Sequence, residues 1–252
     1  MSVQDWPCAA WTRELSEHLP DITVQVLPEI DSSNSELMRR ARSGDVRPQL
    51  LVALTQTAGR GRMGRRWLSG PGDALTFSLG LPLRLRDWSG LSLAVGLSAA
   101  QSLHPDIQLK WPNDLWWRQR KLAGILIETA NVGAQRYAVI GIGINLKARD
   151  ADGLSTPPAW LQEALPGIDA AQTLSRVLLP LVQTLQRFER EGFAVFREEF
   201  NARDGLRDRE VTLSEGTQGT ARGVNETGAL LVHTALGVQT IASSEVSVRP
   251  KS

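Results

Sequence analysis

The 252-residue sequence predicts an α/β protein followed by a small β-barrel. Two patterns predict this. Between about residues 22 and 201, apolar runs suited to strands are interleaved with segments of helical period. Near Arg207 the composition then shifts to five short β patterns separated by turn residues. That shift divides the chain into a large domain over residues 1–205 and a barrel over residues 206–252.

The elements follow in order. Trp11, Leu15 and Leu19 stand four apart and give a short helix one apolar stripe, ended by Pro20. Ile22 to Leu27 alternates as a half-buried strand does. In the segment Asp31-Ser32-Ser33-Asn34-Ser35-Glu36, Ser33 and Glu36 have capping-box spacing for a helix running to about Arg42. A helix start also offers free N–H groups and hydroxyls to a polar ligand. Leu50 to Leu54 is a continuous apolar run fit for a central strand.

Ala74 to Leu83 reads as another strand, and Leu91 to Leu103 as a helix made for packing. Ile107 to Trp111 is a strand stopped by Pro112, with Asn113 and Asp114 just beyond, free to meet ligands. Leu115 to Trp117 and Leu122 to Thr129 form a hairpin across Arg118-Gln119-Arg120, with Lys121 opening its second arm. One of Trp116 and Trp117 must then be exposed or covered by another element. Tyr137 to Leu146 is a strand carrying Gly141 and Gly143, and glycine there signals a bulge or the close approach of something flat. A helix from about Thr173, kinked or broken at Pro180, precedes a second one from about Gly192 to Asn201. The tail strands are Val211 to Leu213, Thr220 to Val224, Leu230 to Thr234, Gln239 to Ala242 and Val246 to Val248.

Charge is concentrated in one place. The net charge is only +1, yet four arginines fall between Arg60 and Arg66 in Gln-Thr-Ala-Gly-Arg-Gly-Arg-Met-Gly-Arg-Arg-Trp, residues 56–67. Three glycines (Gly59, Gly61, Gly64) let this backbone close on a ligand, and guanidinium groups grip carboxylate or phosphate oxygens in pairs. Such a loop is built for an anion. The near-neutral total gives no general drive toward nucleic acid. A single cysteine, Cys8, excludes an intrachain disulfide framework and a Cys-rich zinc site. No secretory signal and no spanning apolar stretch is present, so the reading is a cytoplasmic protein.

Five blocks in fixed order carry a resemblance: Asp-Ser-Ser-Asn, the Gly/Arg loop, Lys-Trp-Pro-Asn-Asp-Leu, Arg-Lys-Leu-Ala-Gly-Ile-Leu and Gly-Ile-Gly-Ile-Asn-Leu. The series closely resembles the biotin protein ligases. The resemblance implies a mixed sheet with flanking helices, related to class II aminoacyl-tRNA synthetase folds, and an SH3-like C-terminal barrel. It implies an enzyme that uses ATP and Mg²⁺ to convert biotin to biotinyl-5′-adenylate and pyrophosphate. The acyl group then passes to a lysine of a biotin carboxyl carrier protein, such as the acetyl-CoA carboxylase subunit.

The same resemblance implies roles. Ser32, Ser33, Asn34 and Gln56 would meet the ureido ring of biotin. Gly59, Arg60, Gly61 and Arg62 would cover the biotin carboxylate and the α-phosphate, and Lys121 would be the central catalytic cation beside Arg60 and Arg62. Gly124 and Ile125 would wall the biotin site. Trp67 would stack on adenine, with Gly141, Ile144 and Asn145 at the nucleotide. Asn113 and Asp114 would serve the triphosphate and Mg²⁺ or orient Lys121. Repressor-type members carry an N-terminal helix-turn-helix domain, for which the residues before the first strand leave no room, so no DNA partner is expected. A homodimer is neither read from the sequence nor excluded by it. Two other readings remain: a lipoate or octanoate ligase of the same fold, and a nucleic-acid-binding module that uses the arginine loop on phosphates.

Overall fold

The protein was analysed as a computed structural model, which describes residues 3–68, 70, 72–148, 157–214, 216–242 and 248–250. Helix α1 (Cys8–Ser16) leads to β1 (Thr23–Ile30), α2 (Ser33–Arg42), β2 (Gln49–Gln56) and β3 (Ala74–Pro82). Then come α3 (Leu91–Leu103), β4 (Gln108–Lys110), β5 (Asp114–Trp117), β6 (Arg120–Val132) and β7 (Gln135–Asn145). These strands make one seven-stranded sheet in the order β1-β2-β3-β7-β6-β5-β4. Only the β1/β2 pair is parallel, which makes the sheet mixed.

The two faces of the sheet are covered unequally. On one side lie α3 and α4 (Ala170–Glu191), with α1 beside them, where the Trp11 indole N–H donates to Ser175 Oγ at 2.9 Å. Helix α3 is sandwiched between α4 and the sheet, and so is apolar nearly all round. Helix α4 runs unbroken through Pro180, held by the apolar stripe from Leu174 to Phe188, so the break allowed by the sequence does not occur. The opposite face carries α2, whose Leu37, Met38 and Ala41 pack on Leu51, Tyr137 and Val139. The rest of that face is open to the arginine loop.

Two local expectations change. The α2 cap is Ser32, not Ser33: Ser32 is extended (φ −159°, ψ 130°) and its side chain accepts from the Ser35 N–H, while Ser33 is already helical. The β5/β6 turn is tighter than expected, since Arg118 and Gln119 both take positive φ (48° and 63°) and Arg120 joins the strand. Both Trp116 and Trp117 are buried, at 6% exposure each. Trp117 meets His104 edge-on, while Trp116 lies against Gly205 and under the Lys110 ammonium.

After α5 (Arg197–Arg203) the chain forms β8 (Glu210–Leu213), β9 (Gln218–Val224), β10 (Leu230–Thr234), β11 (Gly237–Ile241) and β12 (Val248–Pro250). They form an antiparallel sheet ordered β11-β10-β9-β8-β12. Val246 and Ser247 of the last expected strand lie outside the described residues. This second sheet joins the first where β4 would otherwise leave an edge: Leu109 bridges Asp204, and the Gly205 N–H donates to Leu109 O at 2.8 Å. Trp111, fully buried, donates its indole N–H to Gly228 O at 3.0 Å.

Asp204 sits in that seam, 8% exposed, with Oδ1 accepting the Leu206 N–H. Burial raises its pKa to about 6, which the Leu206 N–H and Arg207 oppose in part. A carboxyl whose folded pKa lies above its unfolded value binds its proton more tightly when folded, so folding is favoured below the unfolded pKa. That advantage is lost as pH rises from about 4 to 6. Asp204→Asn is therefore expected to stabilise the protein by about 2 kcal/mol at pH 7.5 and to change little at pH 4. Urea melts at the two pH values measure this.

Candidate functional site

The floor of the site is set by strand register. Across β2, β3, β7, β6, β5 and β4 one line reads Ala53, Thr76, Gly143, Gly124, Asp114, Lys110. The next line on the same face reads Leu51, Ser78, Gly141, Leu126. Three glycines at the crossings of β6 and β7 leave a trough in the sheet. Two other elements fill it. A Cβ at Gly141 would lie 2.2 Å from Asn34 Oδ1, and one at Gly143 would lie 2.4 Å from the Trp67 ring. The flat neighbour implied by the glycine spacing is thus Trp67 itself.

Lys121 reaches this face through a bulge. Leu115 pairs with Ala123 but Trp116 with Lys121, so Leu122 is the extra residue. Leu122 and Ala123 both turn into the core, and Lys121 keeps the same side as Gly124, whose Cβ position is 3.2 Å from its Nζ. The ammonium is 2.7 Å from Asp114 Oδ1. The Lys121 carbonyl accepts from the Ala159 N–H at 2.9 Å and from Asn145 Nδ2 at 3.2 Å.

The arginine loop crosses above. Gly59 O accepts from the Trp67 N–H at 2.9 Å, and a Cβ on Gly59 would come within 2.5 Å of Trp67 O. Arg60 pairs with Glu128 at 3.0 Å. Arg62 donates to Asn113 Oδ1 at 3.3 Å, while Asn113 Nδ2 donates to Ile125 O at 2.9 Å. Burial lowers the Arg62 pKa from its ordinary value; the Asp114 charge opposes this and Arg65 adds to it.

These elements enclose a cavity of about 160 Å³. Ser32, Ser33, Asn34 and Gln56 give its wall neutral polar groups. Arg60, Arg62, Arg65, Arg66, Lys110 and Lys121 also line it, against Asp114 as the one acid among the described lining residues. Gly61, Trp67, Asn113, Gly124, Ile125 and Gly141 complete the expected residues found there. Gly59, Ile144 and Asn145 are not brought to the wall. Gly59 supports the loop crossing, and Ile144 is fully buried in the main core. Asn145 is 2% exposed and turns its amide to Lys121 O and Ala159 O, which fixes the main chain behind Lys121.

Three participants carry no role in the sequence reading. Lys110 lines the cavity, and its signal was its place in the Lys-Trp-Pro-Asn-Asp block. Glu128, which holds Arg60 and accepts from Asn34 Nδ2 at 3.1 Å, stands at strand spacing from Gly124 and Leu126. Ser78, fully buried between Ser33 and Asn34, has no local signal at all.

Because a side chain at Gly143 would collide with the Trp67 ring, Gly143→Ala is expected to lift the loop. Trypsin cleavage between Arg60 and Arg66 should accelerate about tenfold while the urea midpoint hardly moves. Unchanged cleavage would mean that the ring does not hold the loop.

Comparison with known proteins accords with this geometry. Residues 28–145 match the model of the biotin/lipoate A/B protein ligase family, and residues 208–249 match the biotin protein ligase C-terminal domain. The chain is 36% identical to the bifunctional ligase/repressor BirA of Escherichia coli, over 90% of this chain and 74% of that protein. It is 30% identical to the biotin–[acetyl-CoA-carboxylase] ligase of Paracoccus denitrificans, over 88% of this chain and 98% of the relative. Among solved structures, the Aquifex aeolicus biotin protein ligase in complex with biotin and ATP is similar at a TM-score of 0.77 and 31% identity. That match covers 90% of this chain and 99% of the other. With both family models matched in order, and a relative 30% identical covered over 98% of its length, the chain belongs to the biotin protein ligase family.

Proposed function

We infer that the chain is an ATP-dependent ligase that activates biotin as biotinyl-5′-AMP and transfers the biotinyl group to a lysine of a carrier protein. The observation that carries this reading is the make-up of the cavity wall: neutral hydrogen-bonding groups from Ser32, Ser33, Asn34 and Gln56 beside six cations, with Lys121 and Arg62 gathered about Asp114 and Asn113. Biotin has the matching form, with a neutral ureido ring at one end and a carboxylate at the other. Lipoate offers a dithiolane ring with no N–H or C=O for Ser33, Asn34 and Gln56 to pair with, so its complex would forgo the hydrogen bonds that a ureido ring makes there.

In the first step a biotin carboxylate oxygen attacks the α-phosphorus of ATP, and pyrophosphate leaves. Two anions must meet, and Arg60, Arg62 and Lys121 offset their repulsion as charge builds. Lys121 suits the task as a compact cation with rotatable donors. Its partner Asp114 orients it and supplies a carboxylate oxygen suited to the Mg²⁺ that arrives with ATP. In the second step the neutral amine of the carrier lysine attacks the acyl carbon, AMP departs and the amine loses a proton. Trp67 forms the flat wall for the nucleotide. Residues 1–205 make up the catalytic domain and residues 206–252 the small β-domain.

Pyrophosphate exchange into ATP tests the assignment. Exchange should require biotin, and Lys121→Ala should lower its rate about 10²–10³-fold. Exchange driven by lipoate instead would overturn the substrate. Steeply salt-dependent RNA or DNA binding without exchange would revive the nucleic-acid reading.

A further inference from the structure

The hydrogen atoms of the buried polar chain beneath the cavity can be assigned by elimination. Asn34 Nδ2 lies 3.2 Å from Leu126 O and 3.1 Å from Glu128 Oε2. A main-chain carbonyl only accepts, so the nitrogen of Asn34 must face it and Oδ1 must face Ser78. Ser78 Oγ, 2.6 Å from that oxygen, therefore spends its one hydrogen on Asn34. Ser33 Oγ is 2.8 Å from Ser78 Oγ and 3.1 Å from Gln56 Oε1. The Ser33 N–H, which can only donate, reaches Gln56 Oε1 at 2.7 Å, so the oxygen of that amide also faces Ser33. Both neighbours of the Ser33 hydroxyl thus accept, and its hydrogen is committed to the protein.

We propose that Ser78 is a positioning and specificity-determining residue, which holds Ser33 as an acceptor and so selects a head group that presents an N–H to it. The inference rests on the biotin reading above and adds a polarity to it. Ser78 is 0% exposed and lies off the cavity wall, so solvent does not reach the hydroxyl that fixes Ser33. A ligand that turned a lone pair toward Ser33 would meet another lone pair, and a site with fixed polarity rejects such a ligand strongly. Ser78 itself touches no ligand, since it does not line the cavity.

The test compares biotin with the two carbamate analogues in which one or the other ureido N–H is replaced by ring oxygen, using pyrophosphate exchange by the full chain. The wild-type protein should use one of the two about 10²-fold less efficiently than biotin in kcat/KM. In Ser78→Ala the Ser33 hydroxyl loses its nearer acceptor, at 2.8 Å, and its hydrogen is held only by the longer 3.1 Å bond to Gln56 Oε1, from which a ligand acceptor can compete for it. The KM for biotin should then rise about tenfold with kcat within about twofold, and the discrimination against that carbamate should shrink about tenfold. Ser78→Thr, which keeps the hydroxyl, should restore the discrimination. Equal losses for biotin and both carbamates in Ser78→Ala would indicate a merely structural role and overturn the proposal. If that variant does not fold, wild-type use of both carbamates within about threefold of biotin overturns it independently, because an acceptor-only Ser33 forbids that result. Absence of any biotin-dependent exchange in the wild type would instead overturn the proposed function, and this inference with it.

Discussion

The structure depends on a sheet face that has been stripped of side chains where it matters. Gly124, Gly141 and Gly143 meet at adjoining positions of β6 and β7, and over them lie an asparagine from α2 and a tryptophan from the loop. Any Cβ at Gly141 or Gly143 would displace one of these visitors. Removing side chains from the middle of a sheet sacrifices packing. The other face compensates, since most of the buried apolar side chains of the protein belong to the core beneath α3 and α4.

That imbalance explains how six cations can converge without unfolding the site. None is placed in a sealed interior. Arg60 is half-exposed and paired with Glu128, Lys121 is paired with Asp114, and Arg62 is held by Asn113. Partial exposure keeps the desolvation cost moderate, while carboxylates at both margins reduce mutual repulsion. An anionic ligand would complete the neutralisation. The cavity therefore retains a strong preference for negative charge.

Much of this was legible in the sequence because it is local. The apolar run of β2, the glycine–arginine alternation and the helix from Leu91 to Leu103 are each decided within a dozen residues, and the order of the blocks identified the family. What could not be read depends on pairing between distant segments. Ser78 looks like one more small residue in a strand, and only the register of β3 against β7 sets it beneath Asn34. The resemblance implies Asn145 at the nucleotide, whereas in the structure its amide turns to Lys121 O and to Ala159 O, a residue outside any strand. Placing the cap at Ser33 instead of Ser32 missed by a single residue, yet that residue decides whether the Ser33 hydroxyl serves the helix or the cavity.

Val248, in the last strand of the second sheet, also lines the cavity, although the other described wall residues lie between Ser32 and Gly143. The order of synthesis therefore matters to the finished chamber. A chain emerging from the ribosome can pair the seven strands and lay down the trough and the loop once Asn145 has been made, but the chamber is not closed until Val248, about a hundred residues later, has joined the second sheet. Closure of the site therefore comes late, and a chain interrupted before Val248 would carry an unfinished cavity rather than a working one.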